Sequence, residues 1–289
     1  MDGIPVQQQV GASVEAELSA RPLVTRWRPK PVIAGSIGLH VAAPAYLIGA
    51  PETWPWALAA LATNHLLLGI AGLCPRSTLL GPNLTRLPVA AALRSEVALT
   101  FDDGPDPVVT PRVLDLLDAR GVHATFFCIA DAAAQHPELC REIARRGHAV
   151  ENHSRRHRSA FAVLGIRGIR EEIARAQAIL ADLGGRIPRF FRPPAGLRNP
   201  LLDPVLHGMG LRLVSWTRRG FDTRRSDVGK VASALVDGLT AGDILLLHDG
   251  HGARTASGAP VVLAVLPLVL DALQSLGLRP VTLHQAVDP

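Results

Sequence analysis

The 289-residue sequence is short of several residue types, and each shortage closes off a class of function. Its three cysteines, Cys74, Cys128 and Cys140, are odd in number and far apart, which excludes a disulfide framework and a zinc ribbon. It has 28 arginines but only two lysines, Lys30 and Lys230, within a formal net charge of +5. No Lys/Arg block is interleaved with aromatics, so nucleic acid is not an expected partner. No internal repeat of about 20–50 residues marks a solenoid or propeller. The largest absence is of charge. Residues 31–50, PVIAGSIGLHVAAPAYLIGA, and 54–73, WPWALAALATNHLLLGIAGL, contain no Asp, Glu, Lys or Arg. Each has the ~20 residues that a helix needs to cross a bilayer.

These runs predict two transmembrane helices joined by Pro51-Glu52-Thr53. Trp27, Trp54 and Trp56 stand at their edges, where an interfacial aromatic belt belongs. His40, Asn64 and His65 interrupt them and require partners inside a membrane. The first run starts some 30 residues in and a second follows, which argues against a cleavable signal peptide. Arg21, Arg26, Arg28 and Lys30 precede the first run, the turn carries only Glu52, and Arg76 and Arg86 follow the second. Lys/Arg excess marks the cytoplasmic side. The expectation is a multi-pass protein of the bacterial inner membrane whose remaining domain faces the cytoplasm, where reduced cysteines are at home. The chain then divides into a polar and basic tail (1–30), the hairpin (31–73), a linker with proline breaks at Pro82 and Pro88 (74–94), and one domain (95–289).

From Ser95 short apolar runs alternate with helical patterns. Strands are expected over 97–101, 123–128, 148–152, 189–192, 211–215, 243–248 and 278–283. Between them lie helical stretches such as 111–121, 137–147 and 169–184, several closing on Gly. Such alternation predicts an α/β fold with a parallel sheet or barrel. Sites in parallel barrels form at the C-terminal ends of strands. Asp102, Asp103, His153, Arg192 and His248 all fall at such ends.

The chemistry follows from residue types. His153 and His157 are four apart, so a helical turn would set both imidazoles on one face, a common metal pair. Two His and one carboxylate leave open positions for water and substrate. In TFDDGP (100–105), neighbouring strand residues should diverge, but Gly104-Pro105 bends the chain, so both aspartates can turn into one pocket. One can bind metal while the other accepts a proton. A glycosidase also pairs two acids but needs no histidine pair. Arg192, in FFRPPAG (190–196), can hold a carboxylate oriented. His248, in LLLHDG (245–250), suits a general acid.

In this order TFDDGP, H-S-x-x-H, R-P-P-A-G and L-L-H resemble the NodB-type polysaccharide deacetylases, carbohydrate esterase family 4, over roughly residues 95–289. HATFFCIA and GLRPVTL also look like that family's strands. The resemblance implies a distorted (β/α)7-type barrel, here preceded by the hydrophobic hairpin, and a divalent metal, most often Zn2+, with Co2+, Mn2+ or Ni2+ as other occupants. It implies that Asp103, His153 and His157 bind the metal. Asp102 would be the base for a metal-activated water, oriented by Arg192, with His248 protonating the leaving amine. A backbone N–H near Pro194 to Gly196 would meet the oxyanion. The implied reaction removes N-acetyl groups from an amino-sugar glycan or lipid-linked sugar. One departure stands in SWTRRGFDT (215–223). It keeps Trp216, and Asp222 is available to support His248, but Thr223 stands where the family carries Trp. With Tyr46 the only tyrosine, a long sugar-stacking platform is hard to build, which favours a short or lipid-linked glycan. The rival expectations are an inactive membrane-anchored glycan-binding protein and an envelope assembly factor.

Overall fold

A computed structural model describes residues 26–287, so most of the expected tail, Arg21 included, lies outside the described residues. Eight strands form one curled, all-parallel sheet: β1 (Glu96–Asp102), β2 (Thr125–Cys128), β3 (Ala149–Asn152), β4 (Phe190–Phe191), β5 (Arg212–Leu213), β6 (Arg218–Arg219), β7 (Ile244–His248) and β8 (Arg279–Val281). Their order is β5-β4-β3-β2-β1-β7-β6, and β8 pairs with the start of β1. This is the expected distorted (β/α) barrel, left open between β5 and β6. The seven expected strands recur, most of them trimmed. β6 was not expected, because Arg218-Arg219 offers no apolar run.

β1 is central and buried along its whole length, as a parallel strand covered on both faces must be. Its alternate side chains sort into two cores. Val97, Leu99 and Phe101 join Phe126, Leu245 and Leu247 under the surrounding helices. Ala98 joins Phe127, Ile244, Leu246 and Trp216 inside the barrel. The period of two therefore puts Thr100 and Asp102 on the interior face with Ala98, and His248 there with Ile244 and Leu246. In-register pairing sets Asp102 beside His248. The outer helices carry matching stripes. In Ile166–Gly184 the buried Ile169, Ile173, Ala176, Leu180 and Leu183 recur at helical spacing, and Gly185 ends the helix at φ 65°.

The two apolar segments form helices Pro31–Gly49 and Trp54–Leu73, joined by a single 3₁₀ turn. Both are long and apolar enough to cross a bilayer, and only 11% of each is buried. Their polar residues face one another. The ring nitrogens Nε2 of His40 and His65 are 3.2 Å apart, and Asn64 donates to Ser36 Oγ at 3.0 Å. Nδ1 of His40 donates to the Ser36 carbonyl at 2.7 Å, which leaves its Nε2 to accept from His65.

The hairpin is tied to the barrel. Trp27 Nε1 donates to Asp203 at 2.8 Å, and the Arg198 N–H donates to the Gly72 carbonyl at 3.2 Å. Residues 74–94, expected as a linker, are packed rather than free. Leu84 exchanges backbone hydrogen bonds with Leu213 and Ser215, both 2.9 Å. Asn83 donates to the Pro75 and Ser77 carbonyls, and Val89–Leu93 forms a short helix.

Candidate active site

A cleft of about 640 Å³ opens at the C-terminal ends of the strands, lined among others by Asp102, Asp103, His153, His157 and His248. The two aspartates reach it by different routes. Asp102 ends β1 on the interior face. Asp103 would point away, but its φ of 75° breaks the strand and swings its carboxylate back into the cleft. The turn that follows is crowded, since a Cβ on Gly104 would run into the Asp249 carboxylate.

Arg192 is fully buried and makes several hydrogen bonds. Its Nη1 donates to Asp102 Oδ1 at 2.6 Å and to Thr100 Oγ1 at 2.9 Å, and its Nη2 donates to the Ser215 carbonyl at 2.9 Å. The guanidinium lies 4.1 Å from the Phe127 ring centre, a geometry lysine could not reproduce. One Asp102 oxygen is thereby fixed, while Oδ2 lies 3.8 Å from His153 Nε2.

His153 and His157 do come together, but not on the expected helical turn. Residues 153–157 form a loop in which Ser154 and His157 have φ of 66° and 49°, and the ring centres are 4.9 Å apart. The physical reason lies in the residues around the loop. Asn152 Oδ1 accepts the Ser154 N–H and Ser154 Oγ accepts the His157 N–H, so side chains replace the helical ladder.

Three donor atoms, one each from Asp103, His153 and His157, lie within 4.8 Å of one another. His153 Nδ1 sits 2.7 Å from the Arg192 carbonyl, which can only accept, so Nδ1 carries the proton and Nε2 offers a lone pair. Asp103 Oδ1 is 3.2 Å and 3.1 Å from the two Nε2 atoms, yet this buried oxygen has no hydrogen-bond partner. Lone pairs that converge without bonding one another suit a cation. Burial alone would raise the Asp103 carboxyl, but the neighbouring His153 and His251 imidazoles outweigh it and hold it well below the usual carboxylate range.

Opposite these groups stands His248. Its Nδ1 is 2.8 Å from Asp222 Oδ1, and its backbone N–H donates to Asp222 Oδ2 at 2.8 Å. Burial would lower the imidazole, but the hydrogen bond to Asp222 and the carboxylate charges raise it above its ordinary value. Asp222, with 1% exposure, is fully engaged in holding that ring.

Other groups stand around these. Asp249 lies under the cleft, not in it. It accepts from Thr110 Oγ1 at 2.6 Å, and burial pushes it up to about 7. Its place in the motif LLLHDG hid that role. His251 Nδ1 lies 3.6 Å from Asp103 Oδ2. Arg219 and Arg224 line the cleft, and no sequence signal sets them apart from the other arginines.

A family model described as polysaccharide deacetylase matches residues 91–214. The chain is 34% identical over 191 residues to a chitooligosaccharide deacetylase of Azorhizobium caulinodans, covering 64% of this chain and 90% of that one. It is 33% identical to the peptidoglycan-N-acetylglucosamine deacetylase PgdA of Listeria monocytogenes, covering 68% of this chain but 39% of that longer one. Among solved structures, a family 4 carbohydrate esterase from Streptomyces lividans in complex with acetate superposes with a TM-score of 0.58 at 34% identity, covering 64% and 91% of the two chains. A peptidoglycan N-acetylglucosamine deacetylase superposes with a TM-score of 0.64 at 27% identity, covering 71% and 92%.

Proposed function

The chain belongs to the polysaccharide deacetylase family, and from that premise we propose that its cleft hydrolyses the N-acetyl amide of an amino sugar, carried on a glycan or a lipid. The carrying observation is that a base candidate, an acid candidate and a three-donor cation cradle line one cleft. In this reading Asp103, His153 and His157 hold a divalent metal, Zn2+ first among candidates. When bound, such a cation lowers the pKa of water and polarises an acyl carbonyl. Asp102 Oδ2 takes the proton from the attacking water, with its partner oxygen pinned by Arg192. The Ala195 N–H stabilises the oxyanion. Ala195 lines the cleft at φ 55°, while the N–H groups of Gly196 and Leu197 are already used on Pro193 and Pro194. His248 donates its proton to the leaving nitrogen, and Asp222 steadies its charge. Water adds across the C–N bond, giving acetate and a free amine.

The same proposal assigns residues 95–289 to the deacetylase domain and 31–73 to a membrane hairpin. The preceding Arg21, Arg26, Arg28 and Lys30, against Glu52 in the turn, favour both hairpin ends and the domain on the cytoplasmic side. Fusions of alkaline phosphatase and of green fluorescent protein to Pro289 test the side. A bright fluorescent fusion without phosphatase activity is expected, and the reverse overturns it. For the chemistry, the purified full chain is stripped of metal, reloaded with Zn2+ and assayed for acetate from N-acetylated chitooligosaccharides and lipid-linked N-acetylglucosamine. Release that follows metal loading is expected. No release from either class by the loaded protein rejects the reading.

A further inference from the structure

One wall of the cleft carries a group of arginines, across from the carboxylates of Asp102 and Asp103. Arg219 is half-buried, and its Nε is buried without a hydrogen-bond partner. Its guanidinium stacks on Trp216 at 5.3 Å and Phe221 at 4.9 Å, and Arg225 stacks on the same Phe221 at 5.0 Å. Arg224 lines the cleft and also a shallower cavity beside it, together with Arg225 and Lys230. Lys230 has Asp227 at 3.5 Å, but among the described residues no carboxylate lies within ion-pair distance of Arg219, Arg224 or Arg225. A guanidinium held on aromatic rings, partly out of water and without an acceptor, is set to receive an anion, and phosphate matches its fork.

This surface lies on the side where the hairpin joins. The second apolar helix ends at Leu73, and Pro75 packs against the cleft wall. A Cβ on Gly196, at φ 74°, would lie 2.6 Å from Trp216 and 2.8 Å from Pro75, so only glycine lets the three close together. Arg76 then donates to the Thr217 carbonyl at 3.4 Å, two residues before Arg219. Cleft, guanidiniums and apolar hairpin therefore follow one another along one edge.

We propose that the substrate is an amino sugar whose anomeric oxygen carries a phosphate linked to a membrane lipid, with the sugar in the cleft and the phosphate on Arg219 and Arg224. The inference rests on the deacetylase reading for the sugar's chemistry. It also accounts for Thr223: a phosphate held by charge replaces the stacking a polymer would need.

The test is binding, which stands whether or not acetate is released. Full-length protein in lipid nanodiscs is titrated calorimetrically with N-acetylglucosamine 1-phosphate and with the neutral methyl glycoside. The phosphate probe should bind at least about tenfold more tightly. That advantage should shrink with salt, vanish in Arg219→Ala and Arg224→Ala, and partly return in Arg224→Lys. Equal affinity for the two probes in the wild type, or an advantage that survives both alanine variants, overturns the proposal. To separate lipid from soluble sources, polyprenyl-phosphate N-acetylglucosamine in the nanodisc should displace the probe better than soluble sugar phosphate does. Equal displacement rejects membrane presentation. Phosphate preference without acetate release from either the lipid form or chitooligosaccharides counts against the deacetylase reading and leaves the phosphate subsite standing, whereas release from chitooligosaccharides alone overturns the substrate proposed here.

Discussion

The hairpin and the barrel solve opposite packing problems with the same few polar residues. In the hairpin the apolar side chains point outward, with Ile48 and Trp56 87% and 79% exposed, while His40, His65, Asn64 and Ser36 face each other between the helices. In the barrel Phe, Leu and Val fill both cores, and the polar groups gather where the strands stop. A histidine pair occurs in each region. His40 and His65 are spent on each other, as the membrane surrounding proposed for the hairpin would demand. His153 and His157 are positioned by backbone and Ser154, so their Nε2 atoms stay available. The difference is between polar groups that satisfy one another and polar groups held ready for something else.

Breaking the barrel pair should have the largest effect. Asp103→Ala, His153→Ala and His157→Ala should each lose bound metal and reduce acetate release to background, with the fold kept. Elemental analysis, with circular dichroism as the folding control, checks this; full occupancy in the double His variant removes the assignment. Next comes His248. Its alanine variant should keep the metal and lose about 10²–10⁴ in kcat, the usual contribution of a general acid. Asp222→Asn removes the interaction that raises His248, so the alkaline limb of kcat/KM should move to lower pH. A limb that does not move separates Asp222 from the acid.

Asp249→Asn probes a buried acid outside the cleft. Because its folded pKa, about 7, exceeds its unfolded value of about 3.9, the native state binds the extra proton. Native stability then falls as pH rises from the lower value to the upper, by at most a few kcal/mol. The Asn variant should flatten that slope in thermal melts between pH 5 and 8; an unchanged slope contradicts it. The smallest effect belongs to the hairpin pair. His65→Leu should cost about 0.6 kcal/mol, the average measured for hydrogen bonds between membrane helices, and leave acetate release intact. A loss as large as that of His153→Ala would erase the contrast between the two pairs.

Much of this was legible in the chain because continuous apolar runs mark buried parallel strands, and the residue ending each run is automatically at the rim. Asp102, Arg192 and His248 were found in that way. β6 was not legible, since its two arginines are held by pairing with Leu245 and Leu246 rather than by their own pattern. The His153/His157 pairing was anticipated through helical spacing but is made by a loop whose φ angles no spacing encodes. The support of His248 by Asp222, 26 residues away, was anticipated through the resemblance, and the pairing of β6 with β7 helps bring the two together. The packed stretch 74–94 read as a linker because its prolines conceal a backbone bridge from Leu84 to the barrel.

The central claim is that two adjacent aspartates hold two jobs, and Asp102→Asn tests it most directly. Metal content and acetate release are measured on the same preparations of wild type and variant. The account predicts equal metal in both and a loss of about 10²–10⁴ in acetate release by the variant. Loss of the metal, or release within about threefold of wild type, would contradict it.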